Sequence, residues 1–282
     1  MKRTLSALVL VPVAILVVVY APPAVYLVGV GVLGSLCLHE YFGLMKNMGV
    51  RVRPAFGFAA FWFLLVALQP APPALPWLAS RHEGLPLPAL LAVLVAAFLV
   101  NMWRPALPVR DRAQALLADA LGVFYFAIFL SPVVAVRYGF DAPADAPVGM
   151  PWTVTLLAAV WAGDTGALAV GKTWGRTPFA PLLSPKKSYE GAAGGLLAGV
   201  LVAAVLQRFL FPVLPLGHVV AVAALAGVFG QLGDLGESML KRAAEVKDSS
   251  RLIPGHGGAL DRMDSLLFAF PMLYVYLFFL YR

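Results

Sequence analysis

Charge is what this sequence has least of. Only 12% of its 282 residues are Asp, Glu, Lys or Arg, whereas a soluble domain carries about 25%. Hydrophobic residues make up 61% of the chain, and its mean hydropathy is +0.85. The composition therefore excludes an ordinary soluble domain and predicts an integral membrane protein. The net charge of +7 is scattered between apolar runs, so we do not expect nucleic acid as a partner.

Cysteine is almost absent as well. Cys37 is the only one, which excludes disulfides and zinc sites built from cysteine. The amino terminus resembles a signal peptide, but its apolar run from Leu5 to Ala21 is longer than a signal core of about 7–15 residues. Pro22 follows that run at once, where a small-residue cleavage site would otherwise fall. We therefore expect a retained first membrane helix.

Long apolar runs are abundant. A helix needs about 20 apolar residues to cross the hydrocarbon core of a membrane, and Pro- and Gly-rich breaks separate such stretches here. We predict an all-α, polytopic membrane protein with no separate soluble domain and no internal repeat. The nine candidate spans cover residues 4–21, 24–45, 54–69, 86–103, 114–136, 151–172, 191–210, 218–240 and 263–281.

The basic residues indicate the orientation. With nine spans and the amino terminus inside, all but four of the 21 Lys and Arg residues fall on the cytoplasmic side, as the positive-inside rule requires. The two long polar loops, 172–190 and 241–262, then also face the cytoplasm. We expect a multi-pass protein of the inner (plasma) membrane with a cytoplasmic amino terminus and active site. The four exceptions are Arg81, Arg137, Arg208 and Arg282.

Ionisable residues inside spans are functional candidates, because each costs roughly 2.5–3.5 kcal/mol to insert. The five that we identify are Asp119, Asp164, Asp234, Glu237 and Asp264. For Asp119, near the start of its span, we favour the interpretation of a helix-end acid or a partner in a structural ion pair.

Two helix ends carry polar residues on a single face. Asp234, Ser238 and Lys241 are spaced i, i+4, i+7, and Asp261 and Asp264 are spaced i, i+3 at the start of the last span. If the intervening loop brings the two helix ends together, Asp234 and Asp261 converge. Carboxylates that converge at low dielectric need a cation between them, and hard oxygen ligands suit Mg²⁺.

The two polar loops suit phosphate binding. The glycines of 255–258 let the backbone approach an anion, and His256 between them is a phosphate donor, an acid or a turn residue. In the other loop, Ser184 and Lys187 precede Ser188, which is a predicted helix cap. The alternative interpretation of that loop is a positive-inside anchor.

A phosphate-loop pattern is also present, but we do not expect it to function. Residues 166–173 match G-x-x-x-x-G-K-[ST]. The mechanism of that motif requires a strand, an exposed loop and a helix, whereas this match lies in the last turns of an apolar span. Its Lys172 could still face the same polar cavity as Asp164.

The polar run from Ser238 to Asp264 resembles the signature of the phosphatidate cytidylyltransferase family, also called CDP-diacylglycerol synthases. Residues 161–195 resemble the second polar region of that family, with Ala162 and Gly163 as a departure before Asp164. We therefore interpret residues 151–282 as the catalytic region and 1–150 as a lipid-facing scaffold. The matching run reads Ser238-x-x-Lys241-Arg242-x4-Lys247-Asp248-x-Ser250-x-x-Ile253-Pro254-x-His256-Gly257-Gly258-x-x-Asp261-Arg262-x-Asp264.

The resemblance implies an all-helical, homodimeric membrane enzyme that condenses CTP with phosphatidic acid to give CDP-diacylglycerol and pyrophosphate. Asp234 and Asp261 would bind a metal pair supported by Asp264, with Mg²⁺ as one ion and K⁺ as a candidate for the second. The implied catalytic residues are Lys241, Arg242 and His256. The implied substrate-binding residues are Ser184, Lys187, Ser238, Lys247, Gly257 and Gly258.

Two alternatives stay open. A related lipid phosphotransferase, such as a polyprenol kinase or a cytidylyltransferase for another lipid, would share these features, because the residues that select lipid tails lie in the uninformative first half. An ion-coupled transporter would use the aspartates as a relay, but it predicts inverted repeats, which are not visible. CDP-alcohol phosphotransferases are excluded because their D-G-x2-A-R signature is absent.

Overall fold

The structure, a computed structural model, describes residues 2–69, 86–140, 147–250, 252 and 257–281. Across these ranges the chain forms helices and no strand, apart from an isolated antiparallel bridge between Pro178 and Ser188. The predicted all-α class is confirmed. The helices are α1 (Lys2–Tyr20), α2 (Pro23–Asn47), α3 (Pro54–Ala67), α4 (Pro86–Met102), α5 (Val109–Gly139), α6 (Gly149–Trp174), α7 (Tyr189–Phe209), α8 (Leu216–Ala243) and α9 (Leu260–Leu280).

Every predicted span corresponds to one of these helices, but not every helix is long enough to be counted as a membrane crossing. Six of them, α2 and α5 to α9, are sufficiently long and apolar within the described residues. At 14 residues, α3 extends only about 21 Å, whereas the hydrocarbon core is about 30 Å thick. A multi-pass membrane protein is therefore supported, with six candidate crossings by length and composition among the residues that the structure describes.

Proline and glycine set several of the boundaries. Helices α2 and α3 begin at Pro23 and Pro54, where the missing N–H of proline costs nothing because the first turn has no intrahelical partner for it. After the end of α2, Gly49 adopts a φ of 81°, a left-handed conformation that commonly ends helices. These turns separate the spans where the sequence predicted breaks.

The chain divides into two compact units. The first contains residues 1–8, 21–134 and 240–261. Its core is aromatic, with Tyr41, Phe42, Phe61 and Phe126 fully buried. Glycine allows the helices to meet there: a Cβ on Gly57 would collide with the ring of Phe42.

The second unit contains residues 9–20, 135–239 and 262–282. Helices α6 and α7 pack closely along a seam of small residues, where a Cβ on Gly195 would lie 2.7 Å from the carbonyl oxygen of Gly163 and one on Gly199 would lie 2.8 Å from that of Ala159. Small residues at such a seam are typical of helices that associate within a membrane. This seam fixes α6 against α7 and thereby the two ends of the loop that joins them.

Candidate functional site

Three carboxylates on two helices form what we call the acid cluster: Asp234 and Glu237 on α8, and Asp264 on α9. One oxygen from each lies within 4.8 Å of the others. Glu237 is buried, and the two aspartates are partly exposed. Three negative charges at this separation repel one another unless a cation balances them, and carboxylate oxygens are the ligands that hard divalent cations prefer. The cluster can therefore hold a metal ion.

Glycine makes the acid cluster possible. A Cβ on Gly233 would collide with the carbonyl oxygen of Asp264, and one on Gly230 would lie 3.4 Å from the Cβ of Ser265. Helix α8 therefore approaches the first turns of α9 more closely than a side chain at Gly233 would allow, whereas a Cβ at Gly230 would make ordinary contact. Asp234 and Glu237 are three residues apart and share a helical face, so both carboxylates lie beside Asp264.

A lysine and a hydroxyl flank Asp234. The Nζ atom of Lys187 lies 2.6 Å from Asp234 Oδ2, with 21% and 33% of the two side chains exposed. Ser238 donates a longer hydrogen bond of 3.4 Å to Asp234 Oδ1. The exposed part of the lysine is its aliphatic stem, because Nζ itself is buried against Asp234. A phosphate group therefore reaches the ammonium group only when this ion pair opens.

Asp164 belongs to the surroundings of the acid cluster. It lies on α6, within electrostatic range of Asp234, Lys187 and Arg262. Its side chain is exposed in the isolated chain. An aspartate on a spanning helix faces a polar cavity in preference to lipid, so the surroundings of the cluster are polar on the α6 side as well.

The loop between α6 and α7 is fastened at its end. Ser188 Oγ accepts a hydrogen bond of 3.1 Å from the backbone N–H of Gly191, which confirms the predicted helix cap. Glu190 accepts hydrogen bonds from the backbone N–H groups of Arg176 and Thr177. Lys187 therefore extends from a short, ordered turn that directs it to Asp234.

A second group of carboxylates lies in the first unit. We call it the carboxylate clamp, and it consists of Glu40 on α2 and Asp261 on α9. Asp261 Oδ1 accepts a hydrogen bond of 2.6 Å from Lys241 Nζ. Its Oδ2 accepts hydrogen bonds from the backbone N–H and the hydroxyl of Ser249, at 2.9 and 2.7 Å, and from the backbone N–H of Gly258 at 2.8 Å. Asp261 thus joins the two ends of the loop that precedes α9.

Glu40 is the functional candidate that our reasoning from sequence missed. It lies inside the predicted span 24–45 and is 4% exposed, so the rule used for the other five intramembrane acids would have identified it. Its carboxylate accepts hydrogen bonds from the hydroxyls of Ser249 and Ser250 and from the backbone N–H groups of Ala259 and Leu260.

The predicted site residues thus fall into two groups. Asp234, Asp264, Ser238 and Lys187 lie in or beside the acid cluster, whereas Asp261, Lys241 and Gly258 belong to the carboxylate clamp. The predicted metal pair on Asp234 and Asp261 joins residues of different compact units and stays a prediction.

The remaining predicted residues have simpler surroundings. Arg242 and Lys247 are exposed, Ser184 is half-buried, and Gly257 has a φ of 80°. One guanidinium nitrogen of Arg242 donates to the backbone carbonyl of Val246. His256 lies outside the described residues, as does Arg81.

Two interpretations made from sequence concern residues outside both groups. Asp119 is fully buried and accepts hydrogen bonds from the backbone N–H of Arg53 and the side-chain amide of Asn101, as a structural acid would.

Residues 166–173, with the phosphate-loop pattern, lie wholly within α6. A continuous helix cannot wrap around a phosphate, so the pattern is coincidental.

Comparison with known proteins identifies relatives. A model of the cytidylyltransferase family matches residues 1–280. Phosphatidate cytidylyltransferase of Bacillus subtilis (strain 168) is 42% identical over 126 residues, which are 45% of this chain and 47% of the relative. The enzyme of that name from Synechocystis sp. is 45% identical over 138 residues, 48% of this chain and 45% of the relative.

A plant relative aligns over more of the chain. Phosphatidate cytidylyltransferase 5, chloroplastic, of Arabidopsis thaliana is 32% identical over 277 residues, which are 91% of this chain and 67% of the relative. The chain spans about half the length of the bacterial relatives that it matches.

Proposed function

The chain belongs to the cytidylyltransferase family, and from that premise we propose that it transfers a cytidylyl group from CTP to phosphatidic acid. The products are CDP-diacylglycerol and pyrophosphate. The observation that carries the proposal is the acid cluster beside Lys187, since it combines carboxylates for a metal ion with a cation for phosphate in a chain of this family. The relatives that match are named for this activity.

The acid cluster fits Mg²⁺ by the chemistry of its donors. Asp234, Glu237 and Asp264 supply hard, anionic oxygens, which Mg²⁺ prefers to nitrogen or sulfur. A bound Mg²⁺ would neutralise negative charge on the CTP phosphates. The family resemblance implies a metal pair on Asp234 and Asp261, with Mg²⁺ as one ion and K⁺ as the candidate for the second. We place Mg²⁺ on the acid cluster, and a Mg²⁺ titration of Asp261→Asn tests whether Asp261 is a ligand as well.

The transfer itself requires alignment and charge neutralisation. An oxygen of the phosphatidate phosphate forms a bond to the α-phosphorus of CTP, the bond from that phosphorus to the bridging oxygen breaks, and its electron pair leaves with pyrophosphate. A phosphate monoester is largely ionised at pH 7, because its second pKa is about 6, so no strong general base is needed. Binding and orientation by the chain's own cations then supply most of the rate enhancement.

The basic residues of the two polar loops are proposed to bind these phosphates. Lys187, Lys241, Arg242 and Lys247 supply positive charge, and arginine can hold a phosphate through two parallel hydrogen bonds. Neutral residues complete the proposed binding set, namely Ser184, Ser238, Gly257 and Gly258, with His256 as a third catalytic residue beside Lys241 and Arg242.

The membrane setting suits a lipid substrate. The acyl chains of phosphatidic acid can remain in the bilayer while the headgroup reaches the polar loops. We propose that the protein is an inner-membrane homodimer with its amino terminus and active site on the cytoplasmic side, an orientation supported by the distribution of Lys and Arg.

The test is pyrophosphate release by the purified protein in detergent micelles that contain phosphatidic acid, CTP and Mg²⁺. We expect release to require both substrates, to prefer CTP to ATP, and to fall at least about 100-fold in Asp234→Asn, because one ligand of the proposed metal site loses its charge. Asp111→Asn makes the same change at the start of α5, far along the chain from both polar loops, and we expect it to retain activity. Phosphate transfer to a lipid from ATP would instead identify a lipid kinase, and no lipid-dependent release from folded protein would refute the proposal.

A further inference from the structure

Glu40 connects the first half of the chain to the loop that carries the family signature. Its Oε1 accepts hydrogen bonds of 2.6 Å from the hydroxyl of Ser250 and 2.9 Å from the backbone N–H of Ala259. Its Oε2 accepts hydrogen bonds of 2.9 Å from the hydroxyl of Ser249 and 2.8 Å from the backbone N–H of Leu260. One buried carboxylate on α2 therefore holds both ends of the loop between α8 and α9.

The same loop ends are held by Asp261, so the two carboxylates of the clamp share a donor. The Ser249 hydroxyl lies 2.9 Å from Glu40 Oε2 and 2.7 Å from Asp261 Oδ2, and its single proton can be donated to only one of them at a time. The backbone N–H of Ser249 also donates to Asp261. Glu40 and Asp261 are thus coupled through one side chain.

Glycine is required where the clamp closes. A Cβ on Gly258 would collide with the carboxylate of Glu40 and the hydroxyl of Ser249, and one on Gly257 would lie 2.6 Å from Asp261 Oδ2. The glycines of this loop therefore allow its backbone to lie close to the chain's own carboxylates, Glu40 and Asp261.

We propose that Glu40 is a positioning residue for the proposed cytidylyl transfer. By tying together the ends of the loop, it fixes Ser249 and the start of α9, and through them it holds Asp261 where its carboxylate orients Lys241. The kinetic part of this inference rests on the proposed function, whereas the structural part does not. Residues 1–150, which we interpreted as a scaffold from sequence, would then contribute a side chain to the catalytic region.

The full charge and both oxygens of Glu40 are needed. In Glu40→Gln one acceptor oxygen becomes an NH₂ group, which cannot accept a hydrogen bond from a backbone N–H or a serine hydroxyl. A buried N–H then loses its partner, and we expect local opening of the loop to rise about tenfold, which corresponds to about 1.4 kcal/mol. The substitution preserves the volume of the side chain, so packing around α2 is retained.

Hydrogen exchange tests the structural part directly. We expect Glu40→Gln to accelerate exchange about tenfold in the peptides that contain Ser249 and Leu260, with peptides of α5 and α7 unchanged. The matched control is Glu245→Gln, because Glu245 is exposed on the surface just after α8, and we expect it to change neither set of peptides. Unchanged exchange at Ser249 and Leu260, or equal acceleration throughout the chain, would overturn the inference.

A double-mutant cycle tests whether Glu40 acts through Ser249. We expect turnover to fall about tenfold in Glu40→Gln. In the double variant Glu40→Gln with Ser249→Ala, we expect the loss of turnover to differ from the product of the two single losses by more than about threefold, because coupled residues are not additive. Glu245→Gln with Ser249→Ala should be multiplicative within about twofold. If the losses in Glu40→Gln and Ser249→Ala simply multiply in the double variant, then Glu40 contributes only to general stability, and the positioning role is overturned. If the unmodified protein transfers no cytidylyl group, the proposed function fails, and the exchange experiment still decides whether the clamp holds the loop.

Discussion

The acid cluster and the carboxylate clamp are both built from carboxylates that flank the loop between α8 and α9, yet their surroundings differ. In the clamp, the chain's own N–H and O–H groups surround both carboxylates, Lys241 donates to Asp261, and Glu40 and Asp261 share the hydroxyl proton of Ser249. In the acid cluster, three carboxylates lie within 4.8 Å of one another, with the partly exposed Lys187 beside one of them.

The difference separates carboxylates that build structure from carboxylates suited to bind a cation. Hydrogen bonds from backbone N–H groups satisfy a buried carboxylate without a bound cation. The carboxylates of the clamp therefore order the loop and do not require a metal ion. Three crowded negative charges instead favour a multivalent cation. Burial of an acid on its own therefore does not indicate its role. The donors around it do.

The largest expected effect separates the two groups by their metal dependence. In Asp264→Asn, we expect turnover at a fixed Mg²⁺ concentration to fall at least about 100-fold and the Mg²⁺ concentration for half-maximal activity to rise more than tenfold, because an anionic oxygen of the cluster becomes a neutral amide. The measurement is pyrophosphate release across a Mg²⁺ titration.

Asp261→Asn is the informative comparison for that titration. It removes the charge that pairs with Lys241, so turnover falls here too, but we expect a smaller shift in the Mg²⁺ requirement than in Asp264→Asn. An equal shift would break the contrast between the two groups, and it would make Asp261 a metal ligand as the sequence predicted. No shift in either variant would remove the metal from the acid cluster.

A smaller effect is expected from the glycine that brings α8 against α9. A Cβ in Gly233→Ala would collide with the carbonyl oxygen of Asp264 and lie 3.1 Å from the ring of Phe268. Overpacking of this kind costs about 1–3 kcal/mol, so we expect roughly a tenfold loss of turnover, together with a lower melting temperature in detergent.

Gly236→Ala provides the control for Gly233→Ala on the same helix. A Cβ on Gly236 meets nothing within 4 Å, and alanine is the better helix former by about 1 kcal/mol. This variant should therefore melt at the same or a higher temperature with unchanged turnover. Equal losses in both variants would show that the helix, and not its contact with Asp264, is sensitive to substitution.

The sequence predicted the helices well, because most apolar runs are long and several are bounded by proline or glycine. It also identified Asp234, Glu237 and Asp264 individually, since an acid inside an apolar span is conspicuous. It did not predict that these three form one cluster. That grouping depends on the contact at Gly233, which is a property of how α8 and α9 pack, and glycine in an apolar helix has many other uses.

Glu40 itself was visible as an acid inside an apolar span, but its contacts were not. Its donors, Ser249 and Ser250 on one side and Ala259 and Leu260 on the other, follow it by more than 200 residues. Two of these four donors are backbone N–H groups, which carry no signal in a sequence. Periodicity describes which face of one helix is apolar, and it contains no information on which distant loop a buried acid contacts.

The smallest expected effect concerns the turn that extends Lys187 to the acid cluster. Ser188 is 7% exposed, and its Oγ caps α7. Removing a cap of this kind costs about 1 kcal/mol, so in Ser188→Ala the first turn of α7 frays and Lys187 spends less time beside Asp234. We expect the KM for CTP to rise a few fold, with the Mg²⁺ requirement nearly unchanged, because no carboxylate of the cluster is altered. Ser188→Thr retains the hydroxyl oxygen and should keep the KM of the unmodified protein. If Ser188→Ala instead raises the Mg²⁺ requirement and leaves the KM for CTP unchanged, then Lys187 serves to balance the charge of the acid cluster and does not bind the phosphates of the nucleotide.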